Sequence, residues 1–271
     1  MYICPKCRNR LMLCGQSYKC SSGHCFDVSA KGYVNLLMSG KSGIHGDSKE
    51  MLAARREFLA LGHYKPIIFE LSDMIIKKCK KEKELTILDA GCGEGYYTGG
   101  LYKLLTDLGY NVTVYGIDVS KDGVAMAAKK YGACRFSVAS VNALPFPDCS
   151  FDVVISLFAP IAEAEFRRVL RDSGMFVTVS PAPRHLYGLK KAIYDCPYEN
   201  EETTFAPTLF NSLEKRVFDG KMLLNNQNEV DCLFKMTPYY HKTDDEGKRR
   251  VSEIGELCTE IGFMFYSFMP I

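Results

Sequence analysis

No apolar run in the 271-residue chain approaches the ~20 residues that cross a bilayer, which excludes a helical membrane protein. The start, Met1-Tyr2-Ile3-Cys4-Pro5, lacks the basic-then-apolar pattern of a secretory leader, so a cytoplasmic location is expected. Internal repeats and low-complexity segments are also missing, which excludes a solenoid and a disordered chain. Net charge is nearly absent at +2, but that small value hides an asymmetry. Residues 1–56 hold nine Lys/Arg against three Asp/Glu, and the remainder 25 against 29. A basic amino end on a mildly acidic body suits a meeting with an anionic polymer. With 47% hydrophobic and 24% charged residues, the length fits one large globular domain plus a small one.

Cysteine is abundant: twelve in all, five of them within the first 25 residues. In a cytosolic chain such clustering argues for metal rather than disulfides. Cys4-Pro5-Lys6-Cys7 and Cys20-Ser21-Ser22-Gly23-His24-Cys25 form C-x2-C-x12-C-x3-H with one extra cysteine. Two ligand pairs on tight turns suit a tetrahedral zinc ion. Cys25 beside His24 leaves the fourth ligand open between them, and Cys14 reads as a spectator. Short strands at Leu11-Met12-Leu13 and Tyr18-Lys19 give a zinc-ribbon-like domain over residues 1–36, too small to fold without its metal. Residues 37–59 are expected to be linker and helix, rich in Gly and Ser up to Ser48 and helical from a cap at Asp47 or Ser48. The helix breaks at Gly62-His63-Tyr64, where Tyr64 can face the ligand site described next.

From 85 to 180, strand and helix alternate. Leu85–Ala90, Val112–Val119, Arg135–Ala139, Phe151–Phe158 and Gly174–Ser180 read as strands of a doubly wound α/β sheet, with ligands at their carboxyl ends. Leu233–Tyr240 and Phe263–Met269 are expected as further strands around a helix near Gly247–Ile261. The first strand runs into Asp89-Ala90-Gly91-Cys92-Gly93-Glu94-Gly95-Tyr96, a glycine turn that opens a helix. A dinucleotide fingerprint would place its last glycine where Tyr96 stands. Glycines at alternate positions make a wider turn that admits a methionine moiety rather than a pyrophosphate. Asp118, ending the second strand, can accept both ribose hydroxyls. Asn142, in the turn after the third strand, can meet an adenine ring. Three strand ends for three parts of one ligand point to S-adenosylmethionine, with Asp89, Gly91, Gly93, Gly95, Asp118 and Asn142 as candidate contacts.

These motifs resemble the class I S-adenosylmethionine-dependent methyltransferases, which implies a Rossmann-like sheet over residues 60–271. Many of that class carry Asp where Ser140 stands, so the adenine contact passes here to Asn142 or a backbone amide. The ribbon motif, Gly32-Tyr33-Val34-Asn35-Leu36-Leu37, Gly62-His63-Tyr64, Gly93-Glu94-Gly95-Tyr96-Tyr97-Thr98, Pro183-Arg184-His185-Leu186 and Met236-Thr237-Pro238 stand in the same order as in the 23S rRNA (guanine-N1)-methyltransferases. That resemblance covers nearly the whole chain. It implies zinc on Cys4, Cys7, Cys20 and His24, and cofactor contacts from Tyr64, Gly95, Tyr96 and His185. The implied product is N1-methylguanosine in a hairpin of 23S rRNA domain II, near the peptide exit tunnel. Two branches of the family modify neighbouring guanines, and one confers resistance to the macrolide tylosin. The resemblance also suggests a homodimer whose zinc modules flank an RNA-sized cleft. Cys25 departs from the family pattern, since a cysteine does not usually follow the ligand histidine.

Guanine N1 carries a proton at neutral pH, so the reaction needs a proton acceptor as well as in-line positioning. His185 lies in the right zone, but the resemblance gives it to the cofactor, and no residue is assigned as general base. The target base must be unpaired or flipped out, and Phe158 or Tyr187 could stack on it. Arg8, Arg10, Lys19, Lys31, Arg55 and Arg56 are candidates for RNA backbone contacts. A small-molecule methyltransferase of the quinone-biosynthesis kind shares Leu144-Pro145-Phe146-Pro147-Asp148 but leaves the ribbon without a purpose. An adenine-N6 methyltransferase would need its Pro-Pro-aromatic turn after the fourth strand, and Ser180-Pro181-Ala182-Pro183 follows the fifth. A non-catalytic zinc-dependent RNA-binding protein would have no use for the cofactor constellation.

Overall fold

The computed structural model describes residues 1–38, 48–81, 83–202 and 205–271. Residues 39–47 of the expected linker, including the alternative cap Asp47, lie outside the described residues. At the amino end β1 (Met12–Cys14), β2 (Ser17–Lys19) and β3 (Cys25–Asp27) form a three-stranded antiparallel meander. The next strand, β4 (Tyr33–Asn35), leaves that meander and becomes the outermost strand of the main sheet, so the expected boundary at residue 36 falls just past it.

Among the described residues the main sheet has eight strands in the order β10-β11-β9-β8-β5-β6-β7-β4. Its centre, β5 (Leu85–Ala90), is buried at every position, as a parallel strand covered on both faces must be. β6 (Val112–Asp118), β7 (Arg135–Val138), β8 (Phe151–Leu157) and β9 (Leu170–Pro181) continue the parallel set, and β4 pairs parallel with β7. β10 (Phe210–Leu224) and β11 (Leu257–Pro270) close the far edge antiparallel, with β11 seated between β9 and β10. The order reverses at β5, which pairs with β6 on one side and β8 on the other, and this switch opens a crevice at the carboxyl ends.

Alternation splits the core into two apolar clusters. Ile87, Val114, Val153 and Val177 face a layer built from α1 (Lys49–Ala60), α2 (Lys65–Lys78), α3 (Tyr96–Asp107), α4 (Lys121–Lys130) and residues further along the chain. Leu88, Tyr115, Val154 and Phe176 face the other way, against α5 (Glu163–Val169) and, unexpectedly, against Tyr2, Cys4 and Leu11 of the ribbon. The ribbon is therefore a cover for sheet surface that helices leave bare.

Two expectations are corrected. Leu233–Tyr240 is not a strand but the end of α7 (Gln227–Met236) and α8 (Tyr239–Lys242), which follow α6 (Tyr187–Ile193). The reason is an N-cap: Asn226 Oδ1 accepts from the Glu229 N–H at 3.0 Å, and Glu229 Oε2 reaches back to accept from the Asn225 N–H, just ahead of the cap, at 2.9 Å. Val230, Leu233 and Phe234 then share one buried helical face. The expected helix to Ile261 ends early, as α9 (Asp245–Ser252), because Gly255 at φ +75° turns the chain into β11. β10 has no counterpart among the strands expected from the sequence. As an edge strand it carries Glu214, Arg216 and Lys221 instead of an alternating apolar pattern, a charge distribution that discourages edge-to-edge association. Among the described residues no helix is long and apolar enough to cross a membrane.

The junction between ribbon and sheet rests on Tyr2, 2% exposed, whose ring meets Tyr18, Tyr115 and Phe146 at centroid distances of 5.2, 5.8 and 5.3 Å. The adjacent Ile3 N–H donates to the Pro145 carbonyl at 2.9 Å. Truncating Tyr2 to Ala is expected to lower stability by about 3 kcal/mol, the cost of an aromatic deletion in a core. A urea midpoint for Tyr2→Ala equal to that of the unaltered chain would contradict this.

Candidate active site and metal centre

The crevice is a cavity of about 740 Å³, within the range of ~300–1,000 Å³ usual for cofactor sites. Its floor is the turn after β5. Gly91 adopts φ +94°, and a Cβ there would lie 2.5 Å from the Ala159 Cβ on the loop after β8. The Gly91 and Cys92 N–H groups both donate to the Ile117 carbonyl, at 2.9 and 2.8 Å, which locks the turn onto β6. Asp118 Oδ2 accepts from the Gly93 N–H at 2.9 Å, and Oδ1 from the Ser120 N–H at 2.8 Å. The carboxylate is thus held at the cavity wall by backbone.

Of the sequence-derived cofactor residues, Tyr64, Gly91, Gly93, Tyr96, Asp118, Asn142 and His185 line this one cavity. Asp89 and Gly95 do not. Gly95, at φ +84°, turns its back to Ala127, whose Cβ would stand 2.7 Å from an added Cβ. Asp89 lies behind the turn, 1% exposed, accepting from Thr98 Oγ1 at 2.5 Å while its Oδ1 has no partner. Burial pushes its carboxyl up to about 7, with the Asp118 charge adding and the Thr98 bond opposing. Asn142 is exposed on a turn whose own Ser140 Oγ accepts from the Asn142 N–H at 3.2 Å. The segment that follows is held by Arg168, which donates to the Leu144 and Phe146 carbonyls at 3.0 and 2.8 Å and to Glu165 Oε1 at 2.7 Å.

Tyr64 Oη and His185 Nε2 lie 3.0 Å apart in buried surroundings. His185 Nδ1 accepts from the Gly262 N–H at 3.2 Å, so the neutral ring carries its proton on Nε2 and donates it to Tyr64. Burial, reinforced by the Lys190 cation, lowers the His185 pKa to about 3. With its lone pair on Nδ1 already engaged, His185 is not placed to take a proton from a substrate. Burial raises the Tyr64 hydroxyl well above its ordinary value, so it stays protonated.

Three features escaped sequence reasoning. Arg55 on α1 lines the cavity, with Nη2 donating to the Met236 carbonyl at 3.4 Å, which places it in the cavity wall. Glu94 is 2% exposed with Oε2 unpartnered, and Tyr96 Oη and Ser180 Oγ are buried and unpartnered in the same cavity. Phe158 stands at φ +54°, a backbone state that costs roughly 1–3 kcal/mol for a bulky residue. Tyr187, the other aromatic expected at the base, is not in the lining; the Arg184 guanidinium lies 4.6 Å from its ring centroid. Orphaned polar atoms around a glycine cradle are what a ligand carrying an amino acid, a ribose and a purine would satisfy.

In the ribbon the ligand atoms of Cys4, Cys7, Cys20 and His24 lie within 4.8 Å of one another. His24 Nδ1 is 3.4 Å from both Cys4 Sγ and Cys20 Sγ, and Cys7 Sγ is 3.7 Å from Cys20 Sγ. A tetrahedron of thiolates at the usual zinc–sulfur distance has edges of about 3.8 Å, so the set fits zinc. Cys25 points elsewhere: it is exposed, with Sγ 4.0 Å from Asp27 Oδ1, so His24 completes the cluster. Both knuckles are tight turns, closed by the Arg8 N–H to the Cys4 carbonyl at 2.8 Å and the Gly23 N–H to the Cys20 carbonyl at 3.0 Å.

Sheet order, glycine turn and tetrad together define a class I methyltransferase with an N-terminal zinc ribbon, using S-adenosylmethionine and zinc. A methyltransferase-domain model matches residues 87–174, and a model described as "RlmA, N-terminal", a zinc ribbon, matches residues 2–39. A relative from Bacillus subtilis (strain 168), provisionally named a 23S rRNA (guanine-N(1)-)-methyltransferase, is 34% identical over 88% of this chain and 86% of its own. The 23S rRNA (guanine(748)-N(1))-methyltransferase of Streptomyces fradiae is 31% identical over 93% of this chain and 90% of its own. The chain belongs to the 23S rRNA (guanine-N1)-methyltransferase family.

Two outcomes are expected. Cys7→Ser and His24→Ala lose the bound zinc measured by elemental analysis, whereas Cys25→Ser keeps one ion per chain. Folding also takes up a proton at Asp89 between its unfolded value near 4 and about 7, so in cofactor-free protein stability falls as pH rises through that window. Asp89→Asn should flatten the fall, read as urea midpoints from pH 5.5 to 8; an unchanged slope would place the proton elsewhere.

Proposed function

We propose that the protein methylates N1 of a guanine in a hairpin of 23S rRNA domain II, in the cytoplasm. Residues 1–36 act as a zinc-bearing RNA-recognition module and residues 60–271 as the methyltransferase body. The observation that carries this reading is a cavity at three strand ends in a chain that also bears a ribbon tetrad and aligns with 86–90% of relatives named for guanine-N1 methylation of 23S rRNA. When bound, S-adenosylmethionine supplies an electrophilic methyl group.

The chain's residues then do the rest. Asp118 takes the ribose hydroxyls, Asn142 the adenine edge, and the Gly91–Gly93 backbone the methionine end, where Glu94 and Tyr96 also reach. Asp89 and Gly95 shape that turn from behind. His185 holds Tyr64 at the wall, and Cys4, Cys7, Cys20 and His24 hold the zinc. Catalysis would be chiefly positional: the cavity would hold the methyl donor in line with guanine N1, and the N1 proton would leave to solvent water, no residue being assigned as its acceptor. Arg10, Lys19, Lys31 and Arg56 are exposed cations suited to RNA phosphates, and Arg8 shares an exposed pair with Asp148 at 3.8 Å.

Labelled methyl transfer to unmodified 23S rRNA, followed by nucleoside identification, tests the reading. N1-methylguanosine is expected; methyladenosine, or no transfer, overturns it. Arg10→Glu combined with Lys31→Glu should weaken RNA binding and reduce the salt slope by about 1 for each phosphate no longer neutralised, with zinc content unchanged. An unaltered slope would remove the ribbon from the RNA interface.

A further inference from the structure

We propose that Asn200 and Lys190 are positioning residues for the methyl-donor site: together they fix the turn that carries His185 and tie it to Tyr239 of α8. The proposal rests on the reading of Tyr64 and His185 as a wall for S-adenosylmethionine, and adds what holds that wall.

Neither residue lines the cavity, and both stand behind its wall. Asn200 lies in the irregular stretch after α6, and its side chain makes four hydrogen bonds. Nδ2 donates to the Ala182 and His185 carbonyls at 3.0 and 3.3 Å. Oδ1 accepts from Lys190 Nζ at 2.7 Å and from Tyr239 Oη at 3.1 Å. The Asn200 backbone adds a fifth tie, its N–H donating to the Pro183 carbonyl at 2.7 Å. The ammonium facing Oδ1 decides which way the amide lies, because the reversed amide would set an NH2 group against it. In the turn itself, the Ala182 and Leu186 N–H groups are held by β11, donating to the Gly262 and Glu260 carbonyls, both at 2.9 Å. Asn200 takes the carbonyls that β11 leaves. Tyr239 and His185 both line the cavity, and Asn200 is the side chain that joins them.

Lys190 supplies the second, independent observation. It is 0% exposed, and its ammonium is met by neutral groups: Asn200 Oδ1, the Tyr198 carbonyl at 3.0 Å, and the Tyr198 and Tyr239 rings at 4.2 and 5.3 Å from their centroids. Glu199, the carboxylate that bears on it, is paired with Arg184 at 3.0 Å. A methionine would fill this space without desolvating a charge, so packing does not account for the lysine. What the ammonium adds is direction. It turns Asn200 Oδ1 toward itself, and thereby Nδ2 toward the His185 turn. Its charge also opposes protonation of His185, which keeps the ring in the form that donates to Tyr64.

The test uses the full zinc-bearing chain and reads two quantities: affinity for S-adenosylhomocysteine, and the NMR signal of the His185 Nε2–H, assigned by its loss in His185→Ala. Asn200→Asp is the discriminating variant. It keeps the size of the side chain and still accepts from Lys190 and Tyr239, but it sets a carboxylate oxygen against the Ala182 and His185 carbonyls. Affinity should fall about 10-fold, and the His185 signal should move. If Asn200 served only to satisfy Lys190, Asp would be neutral or better, because it gives the ammonium a counter-ion. Tyr239→Phe, which removes one donor to Oδ1, should weaken binding roughly 3-fold and move the same signal, and it carries the test if Asn200→Asp folds poorly. Unchanged affinity in these variants, or weakened affinity with an unmoved His185 signal, overturns the positioning role. Unchanged affinity in His185→Ala overturns the wall reading, and this proposal with it.

Discussion

The site depends on one close approach, that of Gly91 to Ala159. At 2.5 Å between a would-be Cβ and the Ala159 methyl, no side chain fits, and the loops after β5 and β8 are brought into contact. Those strands are neighbours at the point where sheet order reverses. The contact therefore sets how closely the turn after β5 and the loop after β8 approach each other across the crevice. The Asp118 bonds and the pair of amides on the Ile117 carbonyl fix the cradle from the other side. A methyl transfer needs its two partners within one bond-forming distance and in line, and the geometry that ensures this is set by backbone rather than by long side chains.

Polar groups in the cavity fall into two kinds. Some are committed: His185 has both ring nitrogens engaged, and Asp118 is anchored by two amides. Others wait, buried and unpartnered, such as Glu94 Oε2, Tyr96 Oη and Ser180 Oγ. Unpaired buried atoms cost stability in the ligand-free protein, and that cost is recovered only when a ligand with matching donors and acceptors arrives.

What the sequence made legible was local. The beat of β5 to β9 follows from apolar runs punctuated by helical spacing, and three zinc ligands from C-x2-C-x12-C, while the spacing leaves the fourth open between His24 and Cys25 and only the three-dimensional cluster decides it. The glycine turn and Asp118 followed from their positions at strand ends. What it hid was relational. β10 is an edge strand without an apolar face, and α7 resembles a strand because Cys232-Leu233-Phe234 is a short apolar run whose period is ambiguous until Asn226 and Glu229 are read as a cap. That Asp89 stands behind the turn, that Arg55 faces inward, and that Gly262 fixes the His185 tautomer all depend on residues far apart in the chain. No local pattern encodes them.

The seam between ribbon and sheet bears on how such proteins diversify. Tyr2 fills a socket made by Tyr115 and Phe146, Ile3 clasps Pro145, and β4 carries the sheet's outer hydrogen bonds. A ribbon exchanged with that of a distant relative would arrive with the wrong knob for this socket and would leave part of the sheet face wet. Change in the amino-terminal module is thereby tethered to change in the turn beyond β7. The ribbon's outer loops are freer to vary than the ribbon as a whole is to be exchanged.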